Sequence, residues 1–487
     1  MNNSEFVLTY AVRLPVIGKY TGQLLLVLIL LTLPLLIVAL FLGEYSTAIR
    51  YTEVIAALGL LSYWLSKISV PEQIQLNEAL MITALTFVIS PLLMSYPLQT
   101  VDMTFSDALF EAVSAITTTG LTTVTNLQNH SATFLFARSW MQWYGGLGIV
   151  VLSVSLYLGQ YMIARQLTEP LNSEIMVTTA RKYAQRMLAI YVLMTMVGLL
   201  ILWLMIGDGF TALLYVFSAV STGGFSPDDM SLAMFESQPI RLTISLLALC
   251  GAIPLPLYYL AWQKGLRDFY KDVEFIGLVL FTLITCLLLI LLMHFNSGLS
   301  FHDSFYQGLL LGISAQTTSG FSSLPISELD NSEKLVTIFS MIVGGGVAST
   351  AGGFKVLRLL ILFRVIQLLI LRTTMSSHAM LPSRLGGKVL DADVIQRAMI
   401  IIFLFVLVVL SSWFVFVLFG YSPIDSLFEV VSATGTVGLT SGITQASLPL
   451  LLKMLLCFDM LAGRLEIIAL LVVLYPRTWI GKRMEIS

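Results

Sequence analysis

ITTTGLT at residues 116–122, VSTGGFS at 220–226, QTTSGFS at 316–322 and TGTVGLT at 434–440 are four versions of one pattern. In each, an alanine (Ala115, Ala219, Ala315, Ala433) stands five residues before the glycine (Gly120, Gly224, Gly320, Gly438), so the register holds without a gap. One such tripeptide carries no information. Four in phase, each ending a short, moderately apolar segment between two long apolar runs, mark an internal repeat. The chemistry that calls for it is cation dehydration, in which a ring of backbone carbonyls replaces the water that an ion gives up. Turning successive carbonyls to one side needs backbone angles that glycine reaches freely, and Thr or Ser adds hydroxyl oxygen with little bulk. The candidate ion-lining residues are therefore Thr118, Thr119 and Gly120, Thr222, Gly223 and Gly224, Thr318, Ser319 and Gly320, and Thr436, Val437 and Gly438.

Around these stretches the chain is apolar. It has 487 residues, 57% hydrophobic and 11% charged, with mean hydropathy +0.90, against about 25% charged in a soluble domain. Its net charge of −2 excludes a general polyanion or nucleic-acid binder. Cys250, Cys286 and Cys457 lie in apolar runs without metal-ligand spacing and read as packing residues. His130, His294, His302 and His378 are equally dispersed.

Runs long enough to cross a bilayer occur at 24–42, 51–65, 79–96, 132–162, 187–206, 240–262, 275–293, 335–370, 398–419 and 448–475. The fold expected is an all-α integral membrane protein with ten transmembrane helices and four re-entrant pore loops. Helix, pore loop, helix repeats surround a central pore with fourfold pseudo-symmetry, after two extra N-terminal helices. The expected division is 1–75 for the N-terminal pair, then repeats at 76–186, 187–272, 273–396 and 397–487. Basic residues gather in alternate connections, including Lys67, Arg165, Arg186, Lys264, Arg372, Arg384, Arg397, Lys482 and Arg483. The positive-inside rule then puts both termini in the cytoplasm and the pore loops outside. The segments before the glycines read as pore helices with Asp107, Glu111, Asp425 and Glu429 near their starts, where the helix dipole favours negative charge. Pairing within the protein and attraction of ions at the mouth are both open for these carboxylates.

Beyond the repeats, WYGGLGIVV at 143–151, STAGGFKVLR at 349–358, HAMLPSRLGGKVLDADVI at 378–395 and MLAGRLEI at 460–467 complete a resemblance to the bacterial TrkH/KtrB potassium transporters and their Trk and HKT relatives. The two extra helices favour the TrkH branch. This resemblance implies K⁺ uptake across the bacterial inner membrane, with K⁺ as cargo and no organic cofactor in the chain. It also implies a homodimer embedded in lipid and gated by a cytoplasmic ring of TrkA-type subunits that bind NAD or ATP. GGGVASTAGG at 344–353 is costly as continuous helix, each glycine by about 1 kcal/mol; the alternative is close helix packing through small residues. The family places an intramembrane gating loop there, which assigns gating to Gly344, Gly345, Gly346, Ser349, Thr350, Ala351, Gly352, Gly353 and Lys355. Arg464, a charge in the last apolar run, calls for explanation. The family's matching arginine faces the pore below the filter, the alternative being a structural ion pair. Gly145, Gly146 and Gly148 read as sites of close helix contact.

Na⁺ permeation or Na⁺/H⁺-coupled K⁺ cotransport is the alternative within transport, and glycine at all four filter positions argues for K⁺. No HExxH or GxSxG motif suggests an enzyme.

Overall fold

The computed structural model describes residues 11–70, 74–99, 103–148, 173–374 and 383–480. Arg165, His378, Lys482, Arg483, the last three residues of the stretch at 143–151 and the first five of the stretch at 378–395 lie outside the described residues.

Two long helices, α1 (Leu14–Phe41) and α2 (Tyr45–Ser66), form an antiparallel hairpin. Pro15 in the first turn suits an amide that has no intrahelical partner. Leu30, Ile37 and Phe41 of α1 stay exposed, as expected of a surface facing hydrocarbon. The hairpin is tied to the rest where Arg13 donates from Nε and Nη2 to Glu78, 2.8 Å each.

The chain then runs four times through one sequence of elements: a long helix, a short pore helix, a turn and a second helix. The first pass is α3 (Leu76–Leu98), α4 (Phe105–Ile116) and α5 (132–148). The second is α6 (Ser173–Ile206), α7 (Gly209–Val220), α8 (Gln238–Ala252) and α9 (Leu255–Lys264), with the short α10 (Leu266–Tyr270) after it. The third is α11 (Val273–Phe295), α12 (Phe301–Thr317), α13 (Asn331–Val343) and α14 (Val356–Thr373). The fourth is α15 (Ala392–Leu418), α16 (Pro423–Thr434), α17 (Leu450–Arg464) and α18 (Ile468–Leu474), followed by α19 (Pro476–Trp479). A two-residue hairpin pairs β1 (Arg384–Leu385) with β2 (Lys388–Val389) around left-handed Gly386 and Gly387.

Among the described residues Leu14–Phe41, Leu76–Leu98, Lys182–Ile206, Val273–Phe295 and Ala392–Leu418 are each long and apolar enough to cross a bilayer alone. Two runs expected to be continuous are not. The run at 240–262 bends by 83° between α8 and α9, because Pro254 and Pro256 deny the helix amides and hold Ile253 extended. The run at 448–475 breaks after Arg464, where Glu466 and Ile467 adopt φ of 53° and 62°. A β-branched residue there is strained, and Gly463, just before the break, is itself still helical. The Gly-rich interruption between α13 and α14 falls where expected.

Candidate functional site: four strained turns closed into a ring

Three of the four pore helices start with a side-chain cap, and the fourth starts at Pro423. Thr104 and Ser300 accept from the Asp107 and Asp303 amides at 3.2 and 3.1 Å. Asp208 accepts from Phe210 and Thr211, and its bonds to Thr211 hold its carboxyl below the usual aspartate range. All four helices end at the repeated motif, and the turn that follows is the same each time. The Ala115, Ala219, Ala315 and Ala433 carbonyls accept from the amides three residues on, at 3.0 to 3.3 Å. The Ser114, Ser218, Ser314 and Ser432 carbonyls accept from the next amide along, at 2.7 to 3.0 Å. Gly120 and Gly438 further donate to the Ser114 and Ser432 hydroxyls at 3.0 and 3.1 Å.

Closing the turn this way forces Thr118, Thr222, Thr318 and Thr436 to φ of 54°, 52°, 53° and 48°. Two residues later Gly120, Gly224, Gly320 and Gly438 take 91°, 78°, 72° and 95°. The left-handed threonine costs roughly 1–2 kcal/mol, comparable to what two turn-closing hydrogen bonds return at about 1 kcal/mol each. Glycine was expected to carry the unusual angle. That threonine carries another in every copy was not.

The four turns meet. A Cβ built on Gly120 would overlap the carbonyl oxygen of Gly223, one on Gly224 that of Ser319, one on Gly320 that of Val437, and one on Gly438 that of Thr119. Each glycine therefore packs on the carbonyl preceding the glycine of the next turn, and the fourth returns to the first. On one side of this ring a cavity of about 600 Å³ is lined by all four glycines together with Asp228 and Asp229.

A support sits behind three of the turns at the same register. Nine residues before the glycine, Glu111 accepts from the Thr122 hydroxyl at 2.5 Å and Glu429 from that of Thr440 at 2.6 Å, while the Tyr215 and Ser226 hydroxyls lie 2.8 Å apart. Leu311 holds this place in the third, where Ser322 instead donates to its own loop at Leu324. Glu111 also pairs with Arg138 at 3.0 Å, Asp107 with Lys453 at 2.5 Å and Asp425 with Lys334 at 2.9 Å. These carboxylates are thus engaged with protein donors. The last two pairs bridge adjacent repeats.

Under the ring, on the side opposite the cavity, lies the segment between α13 and α14. The Gly352 amide donates to Thr318 Oγ1 at 2.6 Å and the Gly353 amide to the Gly435 carbonyl at 3.0 Å. Thr350 Oγ1 lies 3.0 Å from the Val220 carbonyl, 2.9 Å from that of Gly251 and 3.4 Å from Thr222 Oγ1. The same segment makes further bonds. Gly346 donates to Ala252 at 2.9 Å, Val347 to the Glu274 carboxylate, and Gln316 Nε2 to the Gly344 carbonyl at 2.6 Å. Lys355 is buried and turns back to the Ala351 carbonyl.

Arg464 is buried and donates from Nη1 to the Thr350 carbonyl at 2.7 Å. It forms no ion pair among the described residues; Glu466 pairs instead with Arg358 at 2.6 Å. Ser349 and Ala351 are buried in the loop, and Gly344 and Gly345 form its entry. Gly145, Gly251 and Gly463 each leave room for the last carbonyls of their own pore helices, at Ile116, Val220 and Thr434. Asp459, given no role from sequence, is buried and accepts from Ser412 at 2.8 Å. The cysteines are free.

Residues 45–478 match the TrkH family model, described as a cation transport protein. The Trk system potassium uptake protein TrkH of Escherichia coli K12 is 30% identical over 393 residues, 78% of this chain and 80% of that one. An uncharacterized cation transporter of Methanocaldococcus jannaschii is 27% identical over 412 residues, 84% of each chain. The crystal structure of the potassium transporter TrkH from Vibrio parahaemolyticus superposes with a TM-score of 0.84 at 25% identity, covering 96% of this chain and 100% of that one. A helical membrane fold, a repeated motif closed into a ring and a family match over most of its length agree: this chain belongs to the TrkH family of cation transport proteins and is not an enzyme.

Proposed function

We propose that the chain conducts K⁺ inward across a bacterial inner membrane, along the axis of the ring. The observation that carries this reading is the closed sequence of glycine-to-carbonyl contacts, which gathers main-chain oxygens from four turns around one path. A dehydrated cation needs such oxygens. Irregular backbone at membrane depth is otherwise costly unless protein or a water-filled path satisfies it. Thr118 Oγ1 and Thr436 Oγ1 are buried without a hydrogen-bond partner among the described residues, which adds two oxygens free to face a cation. Named relatives that take up potassium favour K⁺ over Na⁺ as cargo.

The loop from Gly344 to Lys355 acts as the gate, a reading supported by its bonds to the undersides of the filters. Arg464 latches it and adds positive charge below the ring. The positive-inside rule orients the cavity outward and the loop toward the cytoplasm. Two copies pair in the lipid, and a cytoplasmic TrkA-type nucleotide-binding ring acts on the inner ends of the repeats, in keeping with relatives named as parts of a Trk system.

Rubidium-86 uptake into proteoliposomes of the purified protein tests the assignment. Uptake should be blocked by external K⁺ at concentrations where Na⁺ has little effect. Equal competition by Na⁺ moves the reading to the Na⁺-permeable alternative, and no uptake above empty liposomes sinks both.

A further inference from the structure

The four turns differ at the residue before the glycine. Thr119, Ser319 and Val437 carry side chains there; the second turn has Gly223. The space is not empty. A Cβ on Gly223 would overlap the carboxamide of Gln142, whose Cδ, Oε1 and Nε2 are its three nearest neighbours. Gln142 belongs to α5, in the preceding repeat, and is fully buried. Its Nε2 donates to the Gly223 carbonyl at 2.5 Å, and its Oε1 accepts from the Phe225 amide at 3.2 Å. One side chain thus holds the backbone on both sides of Gly224. The carbonyl it holds is also the one on which Gly120 packs.

The neighbouring residues on this face of α5 follow the same turn. Four positions earlier, Arg138 donates to the Ser226 carbonyl at 3.3 Å and stacks 3.9 Å above the Phe225 ring. Four positions later, Gly146 leaves room for Ser221, which its Cβ would meet at 3.0 Å. Spacing of i, i+4 and i+8 puts these three on one helix face, so α5 is a rail along which the second turn lies. Both bonds of Gln142 are made by its side chain, and α5 is continuous helix on either side of it.

We infer that Gln142 is a specificity-determining positioning residue of the filter, standing in for the side chain that Gly223 lacks and fixing the orientation and field strength of the Gly223 carbonyl. The inference rests on the filter reading above. An amide donor on a carbonyl draws on its lone pairs and restrains its approach to an ion. Removing the donor strengthens the field and frees the oxygen to close on a smaller cation, which favours Na⁺.

The experiment measures Na⁺/K⁺ permeability ratios from reversal potentials of the full-length protein in planar bilayers, with monodisperse elution as the folding check. Gln142→Met keeps the length of the side chain and loses both bonds; the Na⁺/K⁺ ratio should rise roughly fivefold to tenfold, the scale of one hydrogen bond. The double variant Gln142→Ala with Gly223→Ser supplies the side chain in place, as in the third turn. Gly223 is not left-handed, so serine is allowed there once Gln142 is trimmed, and the ratio should return toward that of the parent. A folded Gln142→Met with the parental ratio overturns the inference. If Gln142→Met does not fold, the double variant decides: a ratio within about twofold of the parent supports the assignment, and a larger change overturns it. A parent that conducts K⁺ selectively keeps the filter reading intact in either case, whereas a parent without K⁺ flux removes that reading itself.

Discussion

Gly120→Ser should raise Na⁺ permeation relative to K⁺ by about tenfold and lower absolute K⁺ flux, while the protein still folds. Gly120 sits at φ 91°, where a side chain costs roughly 1–2 kcal/mol. Its Cβ would also collide with the Gly223 carbonyl. That oxygen must move, and a strain near 1.4 kcal/mol, once expressed as a difference between ions, is about a tenfold change in their ratio. Helix α4 and its cap at Thr104 are untouched, so thermal stability in detergent should fall far less than selectivity. Reversal potentials under a K⁺/Na⁺ gradient measure the ratio. An unchanged ratio in a folded variant would mean that Gly120 does not shape the conducting path.

The second large effect is expected at Arg464. Its bond to the Thr350 carbonyl is made by a charged donor in a buried site, a class of interaction that contributes about 1.5–3 kcal/mol. Removing it weakens the hold on a loop that obstructs the path, and also removes positive charge from beneath the filters. Both effects have one sign. Arg464→Ala should increase rubidium influx by about tenfold. Arg464→Lys separates the two causes, because it keeps the charge but cannot reproduce the planar fork. Influx raised by both variants assigns the effect to the latch; influx raised by alanine alone assigns it to charge. A fall in influx with alanine, in folded protein, would make the arginine a support of the open path instead.

Much of this architecture is legible in the sequence. The Ala-to-Gly register of the four motifs predicts equivalent backbone in four places, and the turns are equivalent down to the same pair of carbonyl acceptors. The Gly-rich break near residue 344 is legible because glycine disfavours helix. The left-handed threonines were invisible, since β-branched residues avoid that region and only closure of the turn imposes it. Tyr215 gives no such signal because its chemistry differs from that of Glu111 and Glu429, although its register, nine residues before the glycine, matches theirs. The bend at Pro254 had a signal in the two prolines, which lay hidden in an apolar run of spanning length. The break after Arg464 has only Gly463 beside it, which is itself helical: Glu466 and Ile467 hold left-handed angles where α17 ends and α18 starts, and Glu466 there meets Arg358 from another repeat. Pairing of this kind follows from which repeats touch, which no local pattern states.

Conduction along the ring requires four turns presenting their oxygens to one ion path. Anomalous diffraction from crystals grown in rubidium salt addresses that directly. The expected result is rubidium on the axis enclosed by Gly120, Gly224, Gly320 and Gly438, lost when Na⁺ replaces it. Rubidium bound elsewhere, with that axis empty at full occupancy of the other sites, would contradict it.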